Sequence, residues 1–169
     1  MITVYESHPF SGNEEKNRRH ARKLATQICK MVWENNSQIA ILNPCDCIRY
    51  AENAHLSYGQ CIDICLALLD KCDVMFLMKG WDNSRGCVLE TAYALEKGIL
   101  VTEVNEPLKE TLKNGKLKIL NNKKEFVDKI NTLIDTLNLK DVDLINKDFL
   151  ELKTAYMQTK KKKKKKNKK

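Results

Sequence analysis

The chain has 169 residues, enough for one domain with a proper core, and its 43% hydrophobic and 31% charged residues are an ordinary globular balance. The net charge of +8 is not a nucleic-acid signature of the body: residues 160–169, "KKKKKKKNKK", hold nine lysines, and +8 − 9 leaves −1 for the rest. Composition thus argues against a collagen-like, disordered or membrane-spanning protein, since no apolar run approaches the ~20 residues a bilayer requires.

"ITVYES" (2–7) reads as a buried strand, and "HPFSGN" (8–13) as a turn. A helix is predicted from about Asn13, with Ser11 and Glu14 in the S-x-x-E form of a capping box and Ala21, Leu24, Ala25, Ile28 and Val32 on one stripe. Trp33, at the end of this helix, is expected to pack. "IAIL" (39–42) is the second strand, ended by Asn43 and Pro44, and 45–59 reads as an irregular polar loop. A second helix covers about 60–71, and "CDVMFLMKG" (72–80) is a third strand, apolar on both faces as a central parallel strand is. Asp73, at its start, is expected to satisfy nearby backbone donors. "WDNSRG" leads into a helix carrying Val88, Ala92 and Leu95 and stopped by Gly98; "ILVTEV" (99–104) and a weaker "KLKIL" (116–120) are strands four and five. Two amphipathic helices follow, marked by Phe126, Ile130, Leu133 and Leu137, and by Ile145, Phe149, Leu152 and Tyr156.

Strand and helix alternate, so the expected fold is α/β: a doubly wound parallel sheet of about five strands, helices on both faces, and C-terminal helices. One domain is expected over 1–158, followed by a disordered poly-Lys tail over 159–169 that repels itself and holds polyanions weakly. The seven cysteines and the absence of a leader-like stretch point to a reducing, cytoplasmic setting. "CDC" at 45–47 and the Cys61/Cys65 pair lack the spacing and histidine support of a zinc site, so buried free thiols and no metal are expected.

Ligands of such sheets bind beyond the carboxyl ends of the strands. Here those ends carry "ESHPFSGN", "NPCDC" and "KGWDNSRG". In the first, Gly12 allows close approach to a helix start, and Ser7 and Ser11 add hydroxyls, a corner suited to an anion or simply a capped turn. In the third, Ser84 and Gly86 precede the helix, Trp81 offers a wall for a flat base, and Glu90 lies near enough to the helix start for the dipole to favour its ionised form. An ionised, positioned carboxylate can attack an anomeric carbon; a first-turn glutamate is also a common stabilising charge. Neither a P-loop nor a dinucleotide fingerprint is present.

"VYESHPFSG", "LDKCDVMFLMKGW" and "NSRGCVLETAYALEKGI" together resemble the nucleoside 2-deoxyribosyltransferase-like superfamily, in particular its small phage and bacterial members, over roughly 1–104. The resemblance implies a flavodoxin-like fold, a nucleoside or nucleotide substrate and a homo-oligomer, with no cofactor. It implies Glu90 as nucleophile and Tyr5 as its partner. Ser7, His8, Ser11 and Gly12 would face sugar and phosphate, with Ser84 and Gly86 as the second small-residue corner. Ser84 stands where typical transferases carry an aspartate, which is similar to the deoxynucleoside-monophosphate N-glycosidases. Asp63, ten residues before Asp73 rather than the usual eight, is the candidate to protonate the departing base, with Asp82 as another; His8 replaces a common glycine. Cleavage or transfer at the N-glycosidic bond through a glycosyl–Glu90 intermediate is the expectation, with non-catalytic nucleotide binding on the same fold as its alternative.

Overall fold

The computed structural model describes residues 1–34, 38–104, 120 and 124–137. Four parallel strands, β1 (Ile2–Ser7), β2 (Ile39–Leu42), β3 (Val74–Leu77) and β4 (Leu100–Glu103), form one sheet in the order β2-β1-β3-β4. Helix α1 (Glu14–Glu34) links β1 to β2. Between β2 and β3 lie α2 (Pro44–Cys47), α3 (Arg49–Asn53) and α4 (Tyr58–Leu69); between β3 and β4 lie a short 3-10 turn (Trp81–Asn83) and α5 (Arg85–Lys97). A last described helix, α6, spans Lys124–Thr136.

The strand order follows the first four positions of the flavodoxin-like doubly wound arrangement. Four strands are described where about five are expected. Of the weak fifth, 116–120, only Leu120 belongs to the described residues; it is buried, and its N–H donates to the Val101 carbonyl on β4 (2.8 Å). The helix expected around 145–156 and the poly-Lys tail lie outside the described residues.

Side-chain alternation along β1 sets both faces of the sheet. Tyr5, with Met75, Leu77 and Val101 of the neighbouring strands, packs under α4, α5 and α6 through Ile62, Leu69, Val88 and Ile130. Val4 and Phe76 pack under α1 through Leu24 and Ile28. Helices therefore cover both faces. Among the described residues no helix is long and apolar enough to cross a membrane.

Local chemistry fixes the element ends. Helix α1 starts one residue after Asn13, whose side chain accepts from the Lys16 N–H (3.3 Å), so Asn13 rather than Ser11 is the cap. Segment 45–59 is not an irregular loop: Asn43 caps α2, Pro44 occupies its first turn, and α3 follows directly. Helix α4 begins with a capping box, Ser57 and Gln60 bonding each other's backbone. Asp73 accepts from the Thr3 N–H (2.8 Å), the backbone role expected of it. Trp33 is 51% exposed and does not pack in the core, since its position on α1 turns it away from the sheet.

Candidate active site

Two consecutive inward positions of β1 deliver Tyr5 and Ser7 to the face covered by α5, and from α5 Glu90 reaches down to meet them. The Tyr5 hydroxyl donates to Glu90 Oε1 and the Ser7 hydroxyl to Glu90 Oε2, both at 2.7 Å. All three side chains are buried, Glu90 being 6% exposed. Each carboxylate oxygen is thereby held by a separate hydroxyl, which fixes the plane of the group.

Glu90 occupies the sixth position of α5, beyond the first turn, where the dipole has little reach. Burial dominates instead. It pushes the Glu90 pKa up to about 7, against opposing hydrogen bonds from Ser7, Tyr5 and Cys65. The dipole-ionised carboxylate expected from sequence is thus corrected to a group that titrates near neutrality. Burial, followed by the negative charge of Glu90, likewise raises Tyr5 well above the ordinary phenol range, so Tyr5 stays a proton donor.

Glu90 lines a cavity of about 260 Å³, together with Phe10, Ile48, Leu56, Tyr58 and Ile62 as its apolar walls and Glu14 and Glu52 as further carboxylates. Cys45, Cys61, Cys65 and Cys87 also line it, and burial raises the pKa of each, so they are thiols at neutral pH. All seven cysteines are free, and no group of metal-ligating side chains stands together among the described residues. A second hollow of about 430 Å³ shares Phe10, Ser11, Tyr58 and Ser84 with the first and adds Pro9, Gly80, Asn83 and Arg85. Arg85 is the one cation among its described lining residues.

Several sequence-derived site residues line the hollows, and others do not. Ser11 lines both hollows. Ser84 caps α5, accepting from the Cys87 N–H (3.4 Å), and lines both hollows as well. Gly86 lies inside the first turn of α5, where a Cβ would stand 3.4 Å from Ile62 Cδ1 and 3.5 Å from the Tyr58 hydroxyl. Both are ordinary van der Waals distances, so the backbone here is in packing contact with α4 without requiring glycine. Gly12 lines neither hollow; its φ of 95° serves the turn before α1.

His8 lines the inner cavity, but both ring nitrogens are engaged: Nδ1 faces the Pro9 carbonyl (2.7 Å) and Nε2 faces His20 Nδ1 (2.8 Å). A carbonyl only accepts, so His8 Nδ1 carries the proton, and Nε2 accepts from His20. Burial lowers the His8 pKa, reinforcing the neutral form and outweighing the Pro9 bond. His8 is therefore no free cation for a phosphate.

Asp63 is exposed and lines neither hollow, because on α4 the neighbouring Ile62 and Cys65 take the inward positions. Asp82 pairs with Lys129 of α6 at 2.9 Å. Trp81 lines neither hollow. Its indole N–H donates to Glu103 (3.1 Å), its ring packs 5.8 Å from that of Phe126, and Lys129 Nζ sits 4.6 Å from the ring centre. It ties α6 to the sheet; the aromatic walls are Phe10 and Tyr58. Burial, then the nearby Glu90 charge, pushes the Tyr58 pKa up to about 12.

Sequence reasoning missed Tyr58, Phe10, Glu14, Glu52 and Arg85. The capping box at Ser57 was the available signal for Tyr58, since it places that residue at the first turn of α4, beside the sheet's carboxyl end. Behind the inner cavity, buried Arg18 joins α1 to α2 and α3. Its Nε donates to the Cys45 carbonyl (2.9 Å), Nη1 reaches Glu15 (3.3 Å), Nη2 pairs with Glu52, and its guanidinium lies 5.0 Å from the Phe10 ring centre.

Residues 2–103 match the family model of DUF4406, a domain of unknown function. The chain belongs to the DUF4406 family. Every residue named as lining the two hollows falls inside the DUF4406 match. No curated protein and no solved structure gives a match.

Proposed function

We propose that this DUF4406 protein is a nucleoside 2-deoxyribosyltransferase-like enzyme that cleaves or transfers the N-glycosidic bond of a 2′-deoxynucleoside or its monophosphate. The observation that carries this reading is the buried Glu90 carboxylate, held by the Tyr5 and Ser7 hydroxyls where the cavity ends. Ionised Glu90 attacks C1′; the C1′–N bond breaks and its electron pair leaves with the base, which takes up a proton. The resulting glycosyl ester is resolved by water or by an acceptor base, as in retaining glycosidases. The pKa near 7 keeps a useful fraction of Glu90 ionised at neutral pH while leaving it a strong enough base to bond carbon. Tyr5 and Ser7 are positioning residues, and Ser11, Ser84 and Arg85 suit the anionic end of a monophosphate. No cofactor enters this reaction.

The test is chromatography for free base after incubation with deoxynucleosides and their monophosphates. Base release that vanishes in Glu90→Gln, with an unchanged circular dichroism spectrum, is expected. Turnover equal to that of the parent would remove Glu90 as nucleophile. A second reading, nucleotide binding without turnover, draws on the outward position of Asp63. Thermal shifts by the same compounds without base release would favour it.

A further inference from the structure

We infer that the inner cavity selects nucleobases that carry an exocyclic amino group, with Glu14 reading that group; this rests on the glycosidic reading above. Its described lining holds no lysine or arginine, and its one histidine is neutral with both ring nitrogens committed. The charged side chains facing the space are carboxylates: Glu90, which the sugar engages, and Glu14 and Glu52. Glu52 is tied to Arg18. Glu14 has no hydrogen bond or ion pair from its side chain among the described residues.

A carboxylate only accepts hydrogen bonds. An amino group on the edge of a base donates to it; a keto oxygen in the same place sets two acceptors against each other and gains no bond from the protein. Phe10, Tyr58, Ile48 and Leu56 offer apolar surface to the flat faces of any base, so they do not discriminate. Discrimination therefore falls to the edge. Arg85, the one described cation that lines either hollow, belongs to the outer one, and Arg18 behind the inner cavity is committed to Glu52, so anionic and donor-bearing ends of a ligand are drawn to different compartments.

The test uses matched pairs differing at one position: deoxyguanosine against deoxyinosine monophosphate, and deoxycytidine against deoxyuridine monophosphate. Affinity is measured by calorimetry and base release by chromatography. A hydrogen bond to a charged group corresponds to a preference of about tenfold or more for the amino member. Glu14→Gln, whose amide both donates and accepts, should bring each pair to within about threefold. Glu14 is exposed at the first position of α1, so the variant should fold, and the parent protein's own preference tests the inference without it. Equal affinity within the pairs, a keto preference, or a preference surviving in Glu14→Gln would overturn the inference. An amino preference in binding without base release supports it while sinking the cleavage reading; base release at equal rates within the pairs does the reverse. Failure of all four nucleotides to bind overturns both.

Discussion

Replacing Tyr5 by Phe removes one hydroxyl and leaves the ring that packs in the core. The lost bond is the 2.7 Å donation to Glu90 Oε1. A hydrogen bond to a charged group contributes about 1.5–3 kcal/mol. At about 1.4 kcal/mol per pKa unit, its loss raises Glu90 from about 7 by about one to two units. Glu90 must be ionised to attack, so activity rises with pH through its pKa, and the variant's rising limb moves to higher pH. At pH 7 the ionised fraction falls from about one half to roughly 1–10%, and kcat/KM drops about 5- to 50-fold. Near pH 10 most of the loss is recovered. The assay is the pH profile of base release, paired with a carbon-13 titration of labelled Glu90 that needs no turnover. A rising limb and a titration midpoint that both stay where they are in the parent would refute the reasoning.

Other consequences concern stability and the walls of the site. Glu6 is fully buried on the face opposite Glu90, and neither of its oxygens has a hydrogen-bond partner among the described residues. Burial, then Asp46, raises its pKa from 4.5 to about 8. The folded state therefore holds a proton that the unfolded chain releases, so stability falls as pH rises from about 4.5 to 8, by up to about 5 kcal/mol for this group, with Glu90 acting in the same direction up to about pH 7. Urea unfolding at pH 5.5 and 8.5 should show Glu6→Gln more stable than the parent by a few kcal/mol at the higher pH only. Arg18→Ala leaves the Cys45 carbonyl without its donor and the partly exposed Glu52 without its partner, and should cost about 1–3 kcal/mol in denaturant midpoint experiments, with weakened nucleotide binding as α2 and α3 lose their tether. Trp81→Phe gives up its bond to Glu103 and should lower stability by about 1 kcal/mol while leaving the KM for base release unchanged; a raised KM would return Trp81 to the cavity.

The sheet was legible because its strands are short apolar runs between turn residues, and the alternation in "ITVYES" already puts Tyr5 and Ser7 on one side. Glu90 was legible from its motif, but its protonation was not. Helical position suggests a dipole, whereas the packing of α4 and β1 around the carboxyl decides its pKa. Segment 45–59 looked irregular because its polar composition hides two helices that depend on the Asn43 cap and on Arg18, a residue 27 positions before Cys45. Asp63 was selected by residue type, although Ile62 and Cys65 already claim the inward positions of α4. Trp81 was read as a base wall because its loop is polar; its true neighbours, Glu103, Phe126 and Lys129, are brought together only by the fold.

The arrangement of β1 also limits how the gene can change. Inserting or deleting a single codon between Thr3 and Ser7 would rotate the following residues by half a repeat, swinging the Glu6 side chain toward Glu90 and sending a hydroxyl to the wrong side of the sheet. Two carboxyls would then compete for the space that two hydroxyls now fill. Lineages carrying this domain should accordingly vary in length at their loops and keep this hexapeptide free of gaps.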